Sequence, residues 1–257
     1  MSADPICPSV AQASKPTEPN CNFKDSTLII PAGQRERFLE AAGSSSHTLP
    51  LTPPEYCDLV QIGNGATSIV YSATESVSGK VVALKRLKPN LAKQPEIVES
   101  FLSEAAILFG LRHPHIIRCF DFFFFEGTWW IVLEYADGGT LAAASRTHME
   151  LQSQRRRWFS QLADAIQYLH DRGIVHRDIK PTNILIRDGI ALLADFGVAS
   201  RPSDSRKQRS HVCGTLRFMS IEAAAGSISP NNDWFAFART AEDTGLTDAD
   251  IFRLPCQ

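Results

Sequence analysis

The stretch Ile174-Val175-His176-Arg177-Asp178-Ile179-Lys180-Pro181-Thr182-Asn183-Ile184-Leu185-Ile186 decides how this chain is read. Two apolar runs enclose a short polar loop in which Asp178, Lys180 and Asn183 crowd together. One loop thereby offers a base, a cation and an oxygen donor. The run Ile184 to Leu193 that follows reads as a hairpin, and Asp195-Phe196-Gly197 comes directly after it.

Working upstream, Ile62-Gly63-Asn64-Gly65-Ala66-Thr67-Ser68-Ile69-Val70 places a Gly-x-Gly turn between extended segments. A dinucleotide-binding fold needs a helix immediately after such glycines, to aim its N-terminus at a pyrophosphate. Ile69 to Ala73 reads as extended instead, so the context fits a flap over phosphates. Lys85 ends the apolar strand Val82-Ala83-Leu84. A lysine there commonly snorkels to solvent, but Glu104 on the next helix offers a carboxylate that would hold it toward an anion.

In this order, the four stretches resemble the eukaryotic-type (Hanks-type) serine/threonine protein kinase family. The resemblance covers about residues 56 to 240 and implies an α+β, two-lobed protein-kinase-like fold. A small lobe (56–136) would carry a five-stranded antiparallel sheet and one helix, and a helical C-terminal lobe (137–257) would be incomplete. Phosphoryl transfer needs positioning and charge neutralisation more than covalent chemistry, which suits these residue types. The implied catalytic residues are Asp178, orienting and deprotonating the acceptor hydroxyl, Lys180, and Lys85 paired with Glu104. Asn183 and Asp195 would hold Mg2+. ATP would lie among Ile62, Gly63, Asn64, Gly65, Val70, Ala83, Lys85 and Leu185, with the hinge Glu134-Tyr135-Ala136 offering backbone groups to the base. His176 and Phe196 are expected to be packing supports.

Lys180, with Gly214-Thr215, resembles the serine/threonine branch rather than the tyrosine branch. Arg177 implies pairing with a phosphorylated activation-segment residue, Ser210 ahead of Ser205 and Ser203. Thr140 and Thr182 stand where arginine-directed relatives carry acidic residues, so no preference for upstream arginine is implied. Three departures from the pattern matter. Ser68 replaces the third flap glycine, Ile221 replaces the proline near the closing Glu222, and few residues follow Asp233-Trp234-Phe235-Ala236-Phe237-Ala238. That aspartate would brace the catalytic-loop backbone, and Trp234, Phe235 and Phe237 would lie uncovered unless a helix at 247–253 or a partner covers them. The chain reads equally as a minimal kinase, a fragment, or a product that folds with a partner.

The remaining sequence is consistent with this picture. The 257 residues carry 26 Lys plus Arg against 28 Asp plus Glu, a net charge of −2 that argues against a dedicated nucleic-acid binder. Six scattered cysteines without a C-x-x-C pair read as free thiols in a reducing compartment. Neither a signal peptide nor a membrane span is apparent, so a cytoplasmic location is expected. Pro5, Pro8, Pro16, Pro19, Pro31, Pro50, Pro53 and Pro54 crowd residues 1–55, which reads as a disordered extension holding at most a short strand at 27–30 and a short helix at 34–42. Helices are predicted over 95–111, 154–170 and 234–242, and strands over 116–125 and 128–135. The run Phe122 to Phe125 is expected to be a strand buried on both faces. An ATP- and magnesium-dependent protein kinase acting on Ser/Thr hydroxyls is the first functional reading. A nucleotide- or partner-binding pseudokinase scaffold and a small-molecule phosphotransferase are the alternatives.

Overall fold

A computed structural model describes residues 53–147, 152–200 and 214–246. The extension read at 1–55 apart from its last three residues, Ser203, Ser205 and Ser210, and the helix expected at 247–253 lie outside the described residues.

The small lobe is built from β1 (Tyr56–Asn64), β2 (Ser68–Glu75), β3 (Val81–Leu87), α1 (Pro95–Gly110), β4 (Cys119–Phe125) and β5 (Thr128–Glu134). The strands form one antiparallel sheet in the order β1-β2-β3-β5-β4. Alternation along β3 separates two faces. Val82 and Leu84 join the aromatic cluster with Tyr56, Ala73, Trp130 and Val132, while Leu87 joins the main core. Lys85 sits mid-sheet, opposite Val70 on β2 and Ile131 on β5.

The β4–β5 turn at Glu126-Gly127 has φ of 47° and 73°, the doubly left-handed geometry of a two-residue hairpin. It folds β5 back onto β4, and β5 in turn pairs with β3, which leaves β4 at the edge, so the phenylalanine run is not buried on both faces. Phe122 alone of the four is buried. Phe123 stacks on Trp130 and on Tyr56, the latter on the opposite edge strand. The sheet therefore curls until its edges meet, which is how an outer face comes to hold buried aromatics.

Residues 116 and 117, expected to open β4, instead reach the other lobe. Ile116 bridges Leu193, and the Ile117 amide donates to the Leu193 carbonyl at 2.9 Å. The helical lobe comprises α2 (Leu141–Thr147), which the sequence pattern did not announce, α3 (Gln152–His170), the hairpin of β6 (Ile184–Arg187) and β7 (Ile190–Leu193), α4 (Ile221–Ala224) and α5 (Pro230–Asp243). On α3, Trp158, Phe159, Leu162, Ala165, Ile166 and Leu169 form one buried stripe. The β6–β7 turn, Asp188-Gly189, repeats the left-handed hairpin geometry. Its Gly189 carbonyl accepts from Gln154 and Trp158 of α3, each at 2.9 Å.

α5 begins four residues earlier than predicted, because Ser229 caps it and Pro230 takes the first turn, a start signal that the apolar stripe alone does not carry. Phe237 is buried against Phe159, and Trp234 packs on the core against His170 and Phe237. Of the three aromatics expected to lie uncovered, only Phe235 is exposed.

Candidate active site

The site is assembled where the sheet meets the loops of the helical lobe. Lys85 Nζ lies 2.6 and 2.8 Å from the two oxygens of Glu104 and 3.2 Å from Asp195 Oδ1. Glu104 is buried on the inner face of α1, whereas the Asp195 carboxylate is half exposed. Burial alone would lower the Lys85 ammonium, but Glu104 and Asp195 outweigh it and hold the amine above its ordinary value. Burial also pushes the Glu104 carboxyl up against the pull of Lys85. At Asp195 burial acts upward too, but Lys85 wins and keeps that carboxyl below the usual carboxylate range. One ammonium thus holds two carboxylates, and only the second of them is exposed.

Asp178 forms a second cluster. Its Oδ2 accepts from Lys180 Nζ at 2.6 Å and from Asn183 Nδ2 at 2.8 Å, and its Oδ1 accepts from the Thr215 hydroxyl at 3.1 Å. Lys180 Nζ also donates to Thr215 Oγ1 at 2.9 Å, closing a triangle between the loop and the later segment. Asn183 spends its amide on Asp178, through the main-chain oxygen as well at 2.8 Å, so its carbonyl oxygen keeps only a 3.5 Å contact from Thr182. Gly214 permits the approach. Its φ is +116°, and a Cβ there would lie 2.6 Å from the Arg177 carbonyl and 2.8 Å from Met219 Cε.

The loop backbone is strained and braced at the same points. Arg177 and Asp195 have φ of 72° and 62°, conformations uncommon for residues with side chains. Fully buried Asp233 accepts the amides of His176 and Arg177, each at 2.8 Å, and contacts His170 Nε2 at the same distance. The His176 ring packs edge-on against Phe196, 4.7 Å between centroids, and its Nε2 lies 3.1 Å from the Ala194 carbonyl. Both rings are buried, in keeping with a packing role.

The remaining predicted positions lie on the β1–β2 hairpin, β3, the end of β5 and β6. Gly63 pairs with Val70 across the β1–β2 hairpin, and a Cβ on it would come within 3.4 Å of Val70 Cβ. Ile62, Asn64 and Gly65 are exposed on this flap, where Gly65 N donates to the carbonyl of buried Ser68 at 2.8 Å. Ala83 pairs with Leu133 just before the hinge, and Leu185 bridges Thr140 from below. Glu134, Tyr135 and Ala136 are half buried. The Glu134 carboxylate forms an ion pair with Arg187 of β6, a link that no sequence signal disclosed.

In the activation region Arg177 meets no carboxylate among the described residues. Its guanidinium reaches the Val198 carbonyl at 3.5 Å and Ser200 Oγ at 3.4 Å. Glu222 is exposed and has no ion pair among the described residues, while Arg239 pairs with Glu242 instead. Where the proline is missing, Ser220 caps α4 by accepting from Ala223 N at 3.1 Å, and it donates to Asn232 Oδ1 at 3.1 Å. Asn232 in turn donates to the Ser227 carbonyl at 2.8 Å, which ties the segment end to α5. Sequence reasoning missed this lock, whose one visible cue is the helix-capping serine.

The donor set suits a nucleotide with a divalent ion. Asp195 and Asn183 present hard oxygens, yet no group of three or more His, Cys, Asp or Glu among the described residues could hold a metal. Such an ion would take its remaining ligands from phosphates and water.

A fold of this kind, with these residues at its centre, is that of a protein kinase domain. The chain belongs to the protein kinase domain family, whose model matches residues 56–241. It is 28% identical over 224 residues to the serine/threonine-protein kinase ste20 of Aspergillus oryzae, covering 84% of this chain and 26% of that protein. It is 32% identical over 172 residues to STE20 of Saccharomyces cerevisiae, covering 66% and 18%. The serine/threonine-protein kinase pakA of Talaromyces marneffei is 30% identical over 169 residues, covering 65% and 26%. The chain thus spans about a quarter or less of the length of these relatives.

Proposed function

We propose that this chain is an ATP-dependent serine/threonine protein kinase, transferring the γ-phosphate of ATP to Ser or Thr hydroxyls of proteins. The observation that carries it is the triangle of Asp178, Lys180 and Thr215, set beside Asn183 and the Lys85–Glu104–Asp195 cluster.

In this reading Asp178 orients the acceptor hydroxyl through Oδ1 and takes up its proton. Lys180 steadies the transferring phosphoryl oxygens, and Thr215 fixes both side chains against the substrate-facing segment. Lys85, positioned by Glu104, grips the α- and β-phosphates. Asp195 and the free oxygen of Asn183 would hold Mg2+, which neutralises phosphate charge when bound. Gly63 and Gly65 keep the flap close to the phosphates, Val70, Ala83 and Leu185 enclose the base, and the hinge backbone at Glu134 and Ala136 reads its edge. Arg177 is the receptor for a phosphate on the activation segment, with Ser210 the first candidate.

A cytoplasmic location belongs to the same proposal, supported by the free thiols of Cys57 and Cys119. No helix among the described residues is long and apolar enough to cross a membrane. Leu216, Ile221 and Phe235 are 73%, 86% and 41% exposed, which supports a partner or further chain over this end of the helical lobe.

Phosphate transfer from labelled ATP with Mg2+ to generic protein acceptors tests the proposal, with Asp178→Ala and Lys85→Met run in parallel. Transfer that vanishes in both variants is expected. A folded parent that binds ATP and transfers nothing would replace this reading with that of a nucleotide-binding scaffold.

A further inference from the structure

A cleft of about 350 Å³ opens behind the hinge, between the α1–β4 connection, the end of β5 and β6. Arg112, Arg118 and Arg187 line it together with Pro114, Ile116 and Glu134, and only Glu134 belongs to the candidate active site. Three guanidinium groups therefore face one carboxylate, in a chain whose net charge is −2.

Arg187 pairs with Glu134 and also lies 3.9 Å from the Asp188 carboxylate. Arg112 is held by the carbonyls of Phe109 and Leu111, both at 2.8 Å, and Arg118 stacks 5.4 Å from the Phe120 ring centroid. Neither Arg112 nor Arg118 has a carboxylate partner among the described residues. Two guanidinium groups are thus fixed in place with charge to spare, an arrangement that suits carboxylates or phosphates.

We propose that this cleft docks an acidic segment of a partner protein, an extended peptide bearing carboxylate or phosphate groups, and that its occupancy is felt at the hinge through Glu134. Exposed Pro114 offers apolar surface to the aliphatic parts of such a peptide, while the arginines take its charges. A nucleic acid would require a longer basic track than this local cluster. The route to the hinge is short. Glu134 Oε2 accepts from Arg118 N at 3.4 Å, and Glu134 N donates to the Arg118 carbonyl at 2.8 Å. An anion competing for the Arg187 guanidinium loosens the Glu134 carboxylate, and the Glu134 backbone is the adenine contact of the proposed function. That coupling rests on the kinase reading, and the docking itself does not.

The test uses the full chain and a fluorescein-labelled ten-residue peptide of Glu, Asp and Ser with a central phosphoserine, its unphosphorylated twin, and a Lys/Ser peptide of equal length. Fluorescence anisotropy at low salt is expected to show binding of both acidic peptides, weakening as salt rises, and none of the Lys/Ser peptide. A stronger phosphorylated arm assigns the ligand charge to phosphate, and equal arms assign it to carboxylates. Arg112→Glu with Arg118→Glu should weaken binding at least about tenfold. Because Arg112 also holds two main-chain carbonyls, Arg118→Glu alone, at an exposed residue, is the second variant, and thermal unfolding checks both. Saturating acidic peptide should shift the Kd for ATP by about fivefold, the lower end of ordinary coupling between sites. Absence of acidic-peptide binding, binding unchanged in folded variants, or displacement by inorganic tripolyphosphate at equal concentration would overturn the docking site. Binding without any change in ATP affinity would overturn the coupling alone. A chain that docks the peptide and yet transfers no phosphate would overturn the kinase reading and leave the docking site standing.

Discussion

The carboxylate of Asp233 and the main-chain nitrogen of His176, 57 residues apart in the chain, are joined by a buried hydrogen bond of 2.8 Å. The same carboxylate takes the Arg177 amide and touches His170 Nε2. An anion with no exposed surface persists only when its oxygens are satisfied, so α5 and the catalytic-type loop hold each other. Arg177, at φ 72°, is the strained residue that this bond restrains.

Asp233→Asn tests that brace. An amide keeps one acceptor oxygen and turns its donor NH2 toward a backbone N–H, so a buried donor goes unmatched. Stability is expected to fall by roughly 2–4 kcal/mol, and phosphate transfer by about a hundredfold through misplacement of Asp178. Chemical denaturation and single-turnover transfer measure the two. A variant with wild-type stability would mean that the loop holds its shape unaided.

Lys85→Met should change how stability responds to pH. Glu104 is already pushed up by burial, with Lys85 opposing; without the ammonium its carboxyl rises further. A carboxyl whose folded pKa lies above its unfolded value favours the fold below the unfolded value, and that contribution is lost as pH rises through the folded value. The variant should therefore lag the parent more at pH 8 than at pH 5 in melting temperature. In the parent, Asp195 is depressed below its ordinary 3.8. Its contribution is present above that value and is lost as pH falls through the folded pKa. Equal deficits of the variant at both pH values would show that Lys85 does not set the charge state of Glu104.

Much of this was legible in the sequence because each feature is local. The loop from Ile174 to Ile186, the Asp195-Phe196-Gly197 triplet and the periodic faces of α1 and α3 are short-range patterns with a physical cause, whereas Lys85, expected to end its strand, lies within β3, which runs on to Leu87. What escaped was decided by tertiary pairing. Nothing within Phe122 to Phe125 says that β5 rather than β4 will lie against β3, and four consecutive phenylalanines by themselves imply an internal strand. Residues 116 and 117 looked like strand because they are apolar, yet they pair with β7 in the other lobe. The Glu134–Arg187 pair and the Ser220–Asn232 lock join segments whose proximity no spacing reveals.

His113 and His115, on the connection that meets α3, predict a second pH effect near neutrality. Burial lowers both rings below the ordinary 6.5, in His113 against the pull of Asp164, which lies 3.3 Å away. In His115, the charge on His113 adds to burial, Asp164 opposes and Arg157 contributes less. A base depressed in the fold contributes stability that is present above its unfolded pKa and is lost as pH falls through the folded value. The melting temperature should therefore drop on going from pH 7.5 to 5.5, and His115→Gln should make that drop shallower. An identical slope in the variant would remove His115 from the account.

Gly214→Ala separates positioning from nucleotide binding. At φ +116° a Cβ is strained, and here it would also meet the Arg177 carbonyl at 2.6 Å, which is backbone and cannot swing aside. Segment and loop must part, and Thr215 moves off Asp178 and Lys180. Lys85, Glu104 and Asp195 lie on other elements and keep their contacts. ATP affinity is accordingly expected to stay within about twofold of the parent, whereas kcat for a peptide acceptor should fall by about a hundredfold, the scale of an ångström's misplacement. Titration with a fluorescent ATP analogue and steady-state transfer measure the two sides. A variant that loses both together would show that the triangle of Asp178, Lys180 and Thr215 also supports the nucleotide side of the cleft. One that loses neither would show that this approach of the segment to the loop is not the geometry in which transfer occurs.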